Sequence, residues 1–158
     1  MPATKLDSST DIITGTLGLF INENPLAFEK SSKLTLNADE IDISNKTMGD
    51  WAASLMGKKS YTISSDALTT KKTGAYSFSS LFEAYVAKTP IAFTLGQYKS
   101  SDADNYGGTF SVDTTEDSYS GKVIITSLEI TSEAGNIVTC SASFKGFGAL
   151  TKTAGVVG

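Results

Sequence analysis

The sequence predicts a mainly β chain: an antiparallel β-sandwich or partial barrel with one short flanking α-helix, a long inter-strand loop and flexible terminal arms. Three observations carry this expectation. First, two segments alternate apolar and polar residues, Lys33 to Ser44 (Leu34, Leu36, Ile41, Ile43) and Lys58 to Asp66 (Tyr61, Ile63), and period-two alternation marks strands buried on one side. Second, Lys122–Thr131 and Ile137–Lys145 read as an antiparallel pair around Glu133-Ala134-Gly135-Asn136, where Gly135-Asn136 suits positive backbone dihedrals. Third, Ser and Thr make up about a quarter of the chain, a composition that favours strands and turns over helices.

The 158 residues suit a single domain, 1–158, with enough length to bury a core without disulfide or metal staples. Net charge is −4, every basic residue is lysine, and there is neither arginine nor histidine. Readers of nucleic-acid sequence lean on Arg forks for phosphate and guanine, so that class is disfavoured, and any passing DNA should meet a non-adhesive surface. The lone Cys140 lies in a strand pattern and is expected to act as a small buried hydrophobe. The start, MPATKLDSSTD, lacks the apolar run of a signal peptide, and no apolar stretch approaches the ~20 residues of a membrane span. Synthesis in the cytoplasm and no membrane partner are therefore expected.

In chain order, residues 1–12 read as a flexible arm. Ile13, Leu17, Leu19 and Ile21 begin a strand, bulged or twisted where Gly15 and Gly18 interrupt it. Asn22-Glu23-Asn24-Pro25 is a turn cluster, and Leu26–Glu29 would return as partner strand. The connection Asn45 to Gly57 is too long for a tight turn and carries Met48, Trp51, Leu55 and Met56, with the sole tryptophan at its centre. Long loops in compact domains are usually functional or disordered, and large apolar side chains on one need a covering surface. Ser80-Leu81-Phe82-Glu83 fits a capping box, after which Leu81, Phe82, Tyr85 and Val86 share one helical face until Thr89-Pro90 stops it. A strand Ile91–Leu95 follows. Residues 98–121 are looser and acidic, and the chain ends on a flexible tail, 149–158, after the glycine-punctuated Gly146-Phe147-Gly148.

Enzymatic chemistry finds little support. Without histidine there is no Ser-His or Cys-His nucleophile and no imidazole base or ligand, and no phosphate-cradling loop is present. Asp39–Glu40 and Glu116–Asp117 could be a glycosidase's acids, but adjacent strand residues point to opposite faces. Asp102-Ala103-Asp104-Asn105-Tyr106-Gly107 invites a calcium-loop reading, yet Tyr106 takes the fifth ligand position and Asp113 stands where a bidentate Glu is wanted. Neither metal nor cofactor is expected. The residues point to a structural or binding protein.

A resemblance extends this. Ala38-Asp39-Glu40-Ile41-Asp42-Ile43-Ser44 followed by Asn45-Lys46, then Gly49-Asp50-Trp51, then Gly57-Lys58-Lys59-Ser60-Tyr61-Thr62-Ile63-Ser64, occur in one order. With Gly18–Asn22, Leu81–Tyr85, Gly121–Thr131 and Ser143–Gly148, this order resembles the major tail tube proteins of long-tailed bacteriophages. The resemblance implies hexameric rings stacked into a virion tail tube that conducts genomic DNA from capsid to host. Tape measure, tail terminator and distal tail or baseplate proteins would be its partners, and DNA would pass without specific binding. It also implies that Asn45–Gly57 is the inter-ring stacking loop, with Asn45, Lys46, Met48, Trp51, Leu55 and Met56 as contacts. Asp39, Glu40, Asp42, Asp113, Glu116 and Asp117 are candidate lumen-facing acids. Two alternatives stay open: an inner tube of a contractile injection or secretion machine, and an unrelated carbohydrate-binding β-sandwich using Trp51 with Tyr61 or Tyr106.

Overall fold

A computed structural model describes residues 4–10, 17–47, 49–72, 76–100, 102, 104 and 107–156. The chain runs β1 (Leu17–Ile21), β2 (Asn24–Pro25), β3 (Glu29–Asp42), β4 (Ser54–Leu68), α1 (Phe78–Ala87), β5 (Ile91–Lys99), β6 (Ser111–Val112), β7 (Ser118–Thr131) and β8 (Thr139–Thr153). The strands form one antiparallel sheet in the order β2-β1-β5-β7-β8-β4-β3, with β6 paired to β5. The sheet curls without closing into a barrel. Its two ends meet at Glu29, the first residue of β3, whose carboxylate accepts the Leu19 amide of β1 at 2.9 Å.

The core follows the alternation. Tyr61, Ile63 and Ala67 of β4 and Cys140, Ala142 and Phe144 of β8 are buried, and join Leu19, Ile21, Ile91, Phe93, Leu95 and Val123 from the neighbouring strands. Cys140 is thus a buried small hydrophobe, its thiol pushed up by burial. Leu81 of α1 caps this cluster, with Phe78 and Ala84 packed at its margin.

The structure amends several boundaries. The helix begins at Phe78 after Ser77, which makes no side-chain cap bond, so the expected capping box at Ser80–Glu83 does not form. Phe78 packs on the core and stacks on Phe82, drawing the first turn earlier. Of the expected apolar face only Leu81 is buried, whereas Phe82, Tyr85 and Val86 are exposed. The stop before Thr89-Pro90 holds: Lys88 adopts a left-handed φ of 58° and its N–H donates to Tyr85 O. The expected return strand Leu26–Glu29 is instead the two-residue β2, after which Leu26 bridges to Tyr76. The chain 149–153 is not a loose tail but the end of β8, because Thr151–Thr153 pair with Ser118–Ser120. Beyond it the Gly155 amide donates to Asp117 at 2.9 Å, Val156 donates to Thr114 O at 2.8 Å, and Lys152 pairs with Asp117 at 3.4 Å. Ile13 and Gly15 lie outside the described residues.

A polar node holds the curl. Glu29 accepts from Leu19 N–H, from the Tyr98 hydroxyl at 2.7 Å and from Ser65 at 3.4 Å. Burial, opposed by these bonds, raises its carboxyl above the usual range and also pushes the Tyr98 hydroxyl up. Tyr98 reaches Glu29 across Gly18, where any Cβ would fall 2.1 Å from the ring.

Candidate interaction surface

The feature that stands away from this core is the outer half of the β3–β4 pair. β8 accompanies β4 only from Leu68 to Thr62, but β4 continues to Ser54, paired with β3 alone through Asp42. At the usual strand rise this leaves about 25 Å of two-stranded ribbon projecting from the sheet. The fork has a local cause. The Tyr61 ring lies across β8 and β7, its hydroxyl donating to Lys122 O at 2.7 Å. A Cβ at Gly146 would meet that ring at 2.4 Å and one at Gly121 its oxygen at 2.8 Å. Only glycines let Tyr61 occupy the junction.

Along the ribbon four large apolar side chains stand uncovered among charged and polar neighbours such as Asp39, Glu40, Lys58 and Lys59. Leu36 is 64% exposed, Met56 68%, and Ile41 and Leu55 are exposed too. Pairing places Leu36, Glu40, Asp42 and Met56 on the core-side face and Asp39, Ile41 and Leu55 on the other. A shift between Ala38 and Glu40 moves one residue of β4 out of phase. The ribbon therefore carries exposed apolar side chains on both faces, interleaved with charges.

At its tip the connection is shorter than the expected Asn45–Gly57, because Ser54, Leu55 and Met56 pair with Asp42, Ile41 and Glu40. β3 stops at Asp42, two residues short of the expected Ser44, and β4 starts at Ser54, ahead of the expected Lys58, because the register shift after Ala38 lets pairing continue. The remaining turn is held by local bonds: Ile43 N–H to Ala53 O at 3.0 Å, Ser44 N–H to Asp42 at 2.8 Å, and Thr47 N–H to Asn45 at 3.0 Å. Trp51 sits on this turn 84% exposed, and Asn45 and Lys46 are exposed beside it. Met48 lies outside the described residues.

The other candidate residues divide. Asp39 lies on the open face of the sheet, whereas Glu40 and Asp42 lie on the core-side face of the ribbon; Glu40 accepts from Ser54 at 2.6 Å and Asp42 from Ser44. Asp113, Glu116 and Asp117 form the β6–β7 loop. There Asp113 is lowered by hydrogen bonds from Thr115, and Asp117 by the Gly155 amide and then by Lys152. The six acids therefore do not form one cluster. The open face also carries a row of hydroxyls, Thr35, Thr62, Ser64, Ser141 and Ser143, brought side by side by the β3–β4–β8 register, with the exposed Lys33 opposite Ser64, Lys145 opposite Thr62 and Asp66 opposite Ser141. The alternation contains this signal, since these are the polar partners of Leu34, Ile63, Ala142 and Phe144.

Tyr61 is buried, so it cannot form an exposed sugar platform with Trp51, and Tyr106 lies outside the described residues. In the calcium-like run, Asp102 accepts from Thr109 N–H at 2.8 Å and Asp104 from Gly107 N–H at 3.0 Å, which are loop-closing bonds; Ala103, Asn105 and Tyr106 are outside the described residues. Among the described residues no group of three His, Cys, Asp or Glu could hold a metal ion, and no helix is long and apolar enough to cross a membrane.

A model of the phage tail tube protein family matches residues 22–152. No curated protein matches the chain. Among solved structures, the fold is similar to that of a chain in the tail of an empty gene transfer agent particle refined with C6 symmetry. The TM-score is 0.67 at 16% identity, covering 88% of this chain and 96% of that one. The SPP1 tail tube gives a TM-score of 0.65 at 14% identity over 92% and 81%. The sheath–tube complex of the extracellular contractile injection system PVC gives 0.61 at 12% identity over 96% and 99%.

Proposed function

The chain belongs to the phage tail tube protein family, and from that membership we propose that it polymerises as stacked hexameric rings into the virion tail tube that conducts genomic DNA. The observation that carries this reading is the ribbon. A strand pair with exposed Leu36, Ile41, Leu55 and Met56 on its two faces, reaching about 25 Å beyond its sheet, has no role in the subunit's own core and suits burial between subunits. Trp51 at its tip is the anchor of ring stacking, since exposed aromatics that fill a partner's pocket dominate many interfaces. Asn45, Lys46, Leu55 and Met56 flank that contact. The sixfold symmetry of the gene transfer agent tail supports a six-subunit ring.

The hydroxyl-rich open face, with Asp39 at its margin, faces the lumen. It carries Lys33 and Lys145 but no arginine fork, so phosphate contacts are few and DNA slides rather than binds. The subunit is made in the host cytoplasm. In the tail it meets the tape measure inside the tube, the terminator at one end and distal tail or baseplate proteins at the other. A non-enzymatic role accords with this structural family.

A second reading, the inner tube of a contractile injection machine, is favoured by the likeness to the PVC tube complex; a sheath gene beside this one would support it. Negative-stain electron microscopy across a concentration series tests the main reading. Hollow tubes or stacked rings are expected. Particles that stay monomeric at every concentration, with glycans that change Trp51 fluorescence, would contradict it.

A further inference from the structure

The ribbon tip needs a receiving surface, and the structure offers one on the same chain. β5 ends its pairing with β7 at Ile91 and Val123, so β7 beyond Val123 has a free flank on that side. The last turn of α1 lies along it. Between them is a groove of about 480 Å³ lined by Tyr85, Val86, Lys88, Ile124 and Ile125. Tyr85 and Val86 are exposed there, and Ile125 is partly buried at the groove's floor, the face that leaves the helix without intramolecular cover.

Three features match this groove to the ribbon tip of a second copy. The walls are apolar and aromatic, with room for an indole. Charge is complementary: Lys88 lines the groove, Asp50 precedes Trp51, and both are exposed. Finally, the two are well separated along the strands. Ile124 and Ile125 are level with Thr62 and Ile63 through Lys145 and Phe144, at the ribbon's root, whereas the ribbon runs from there toward the Ser118–Thr153 end of β7–β8. A tip about 25 Å further along the strands cannot meet the groove within one subunit. Tip and groove join copies head to tail and leave both ends open.

We propose that Trp51 of one subunit seats in the Tyr85–Val86–Ile125 groove of the next subunit along the tube, with Asp50 beside that subunit's Lys88. This rests on the tube reading and names the partner surface of the stacking contact. The test is crosslinking within assembled tubes. Subunits carrying Asp50→Cys and Lys88→Cys together, oxidised after assembly, should run as a ladder of covalent multimers, while either single substitution gives none. Intact tubes without a ladder would overturn the proposal. Should the double cysteine variant not assemble, charge exchange decides. Asp50→Lys and Lys88→Asp singly should each raise the concentration needed for tubes by about tenfold, and together restore it. Single variants that assemble as wild type, or a pair that restores nothing, would also overturn it. Failure of the wild-type chain to form tubes would instead remove the tube reading itself.

Discussion

The two halves of β4 share one strand and differ in everything that surrounds it. From Tyr61 to Ala67 every second side chain is buried inside the curl of the sheet, and the intervening Thr62, Ser64 and Asp66 are exposed. From Ser54 to Ser60 no residue is buried, although Leu55 and Met56 are as apolar as Ile63. The inner half is stabilised by its own subunit. The outer half carries the same hydrophobic effect in unspent form, as surface that gains only when another chain covers it. Tyr61 is the boundary between them, and the glycines beneath its ring set where it falls.

Substitutions should separate the halves. Phe144→Ala removes a ring from the centre of the inner half and should cost about 3–5 kcal/mol of subunit stability, read from the denaturant midpoint. Gly146→Ala drives a methyl into the Tyr61 ring and should cost about 1–3 kcal/mol, with residues 54–60 losing their fixed direction by NMR. A smaller effect is expected at the node that ties the curl. Because burial raises the folded-state carboxyl of Glu29, its contribution is fully present below the unfolded-state value and is lost as pH rises through the folded one. Wild type should therefore gain stability relative to Glu29→Gln as pH falls from neutral toward the ordinary carboxylate range; a gap that widens in the opposite direction would refute this. Smallest of all, Trp51→Ala should leave the subunit within about 0.5 kcal/mol of wild type while sharply reducing tube formation. A thermal midpoint that falls with tubes unaffected would place Trp51 in the subunit's own packing.

Much of the inner half was legible because alternation reports one-sided burial directly: Tyr61 and Ile63 are buried on one face as expected, and Cys140 is the small buried hydrophobe its strand pattern suggested. The ribbon was only half legible. Met56 and Leu55 break the alternation because a residue shift changes the phase, and a polar turn sequence then hid their pairing. The Glu29 node could not be read, since it depends on contacts among β1, β3, β4 and β5 that no local pattern encodes. The helix face was misassigned for a related reason. Phe82, Tyr85 and Val86 look like core, and nothing within the sequence distinguishes a face that packs on its own sheet from one left for another subunit.

Hydrogen exchange on the subunit and on the assembled tube would test the division of β4 most directly. The amides of Tyr61–Leu68 should be protected in both states. Those of Leu36–Asp42 and Ser54–Ser60 should exchange by local opening in the subunit and become protected on assembly. A ribbon already as protected as the core in the free subunit, or one that gains no protection in the tube, would contradict the account.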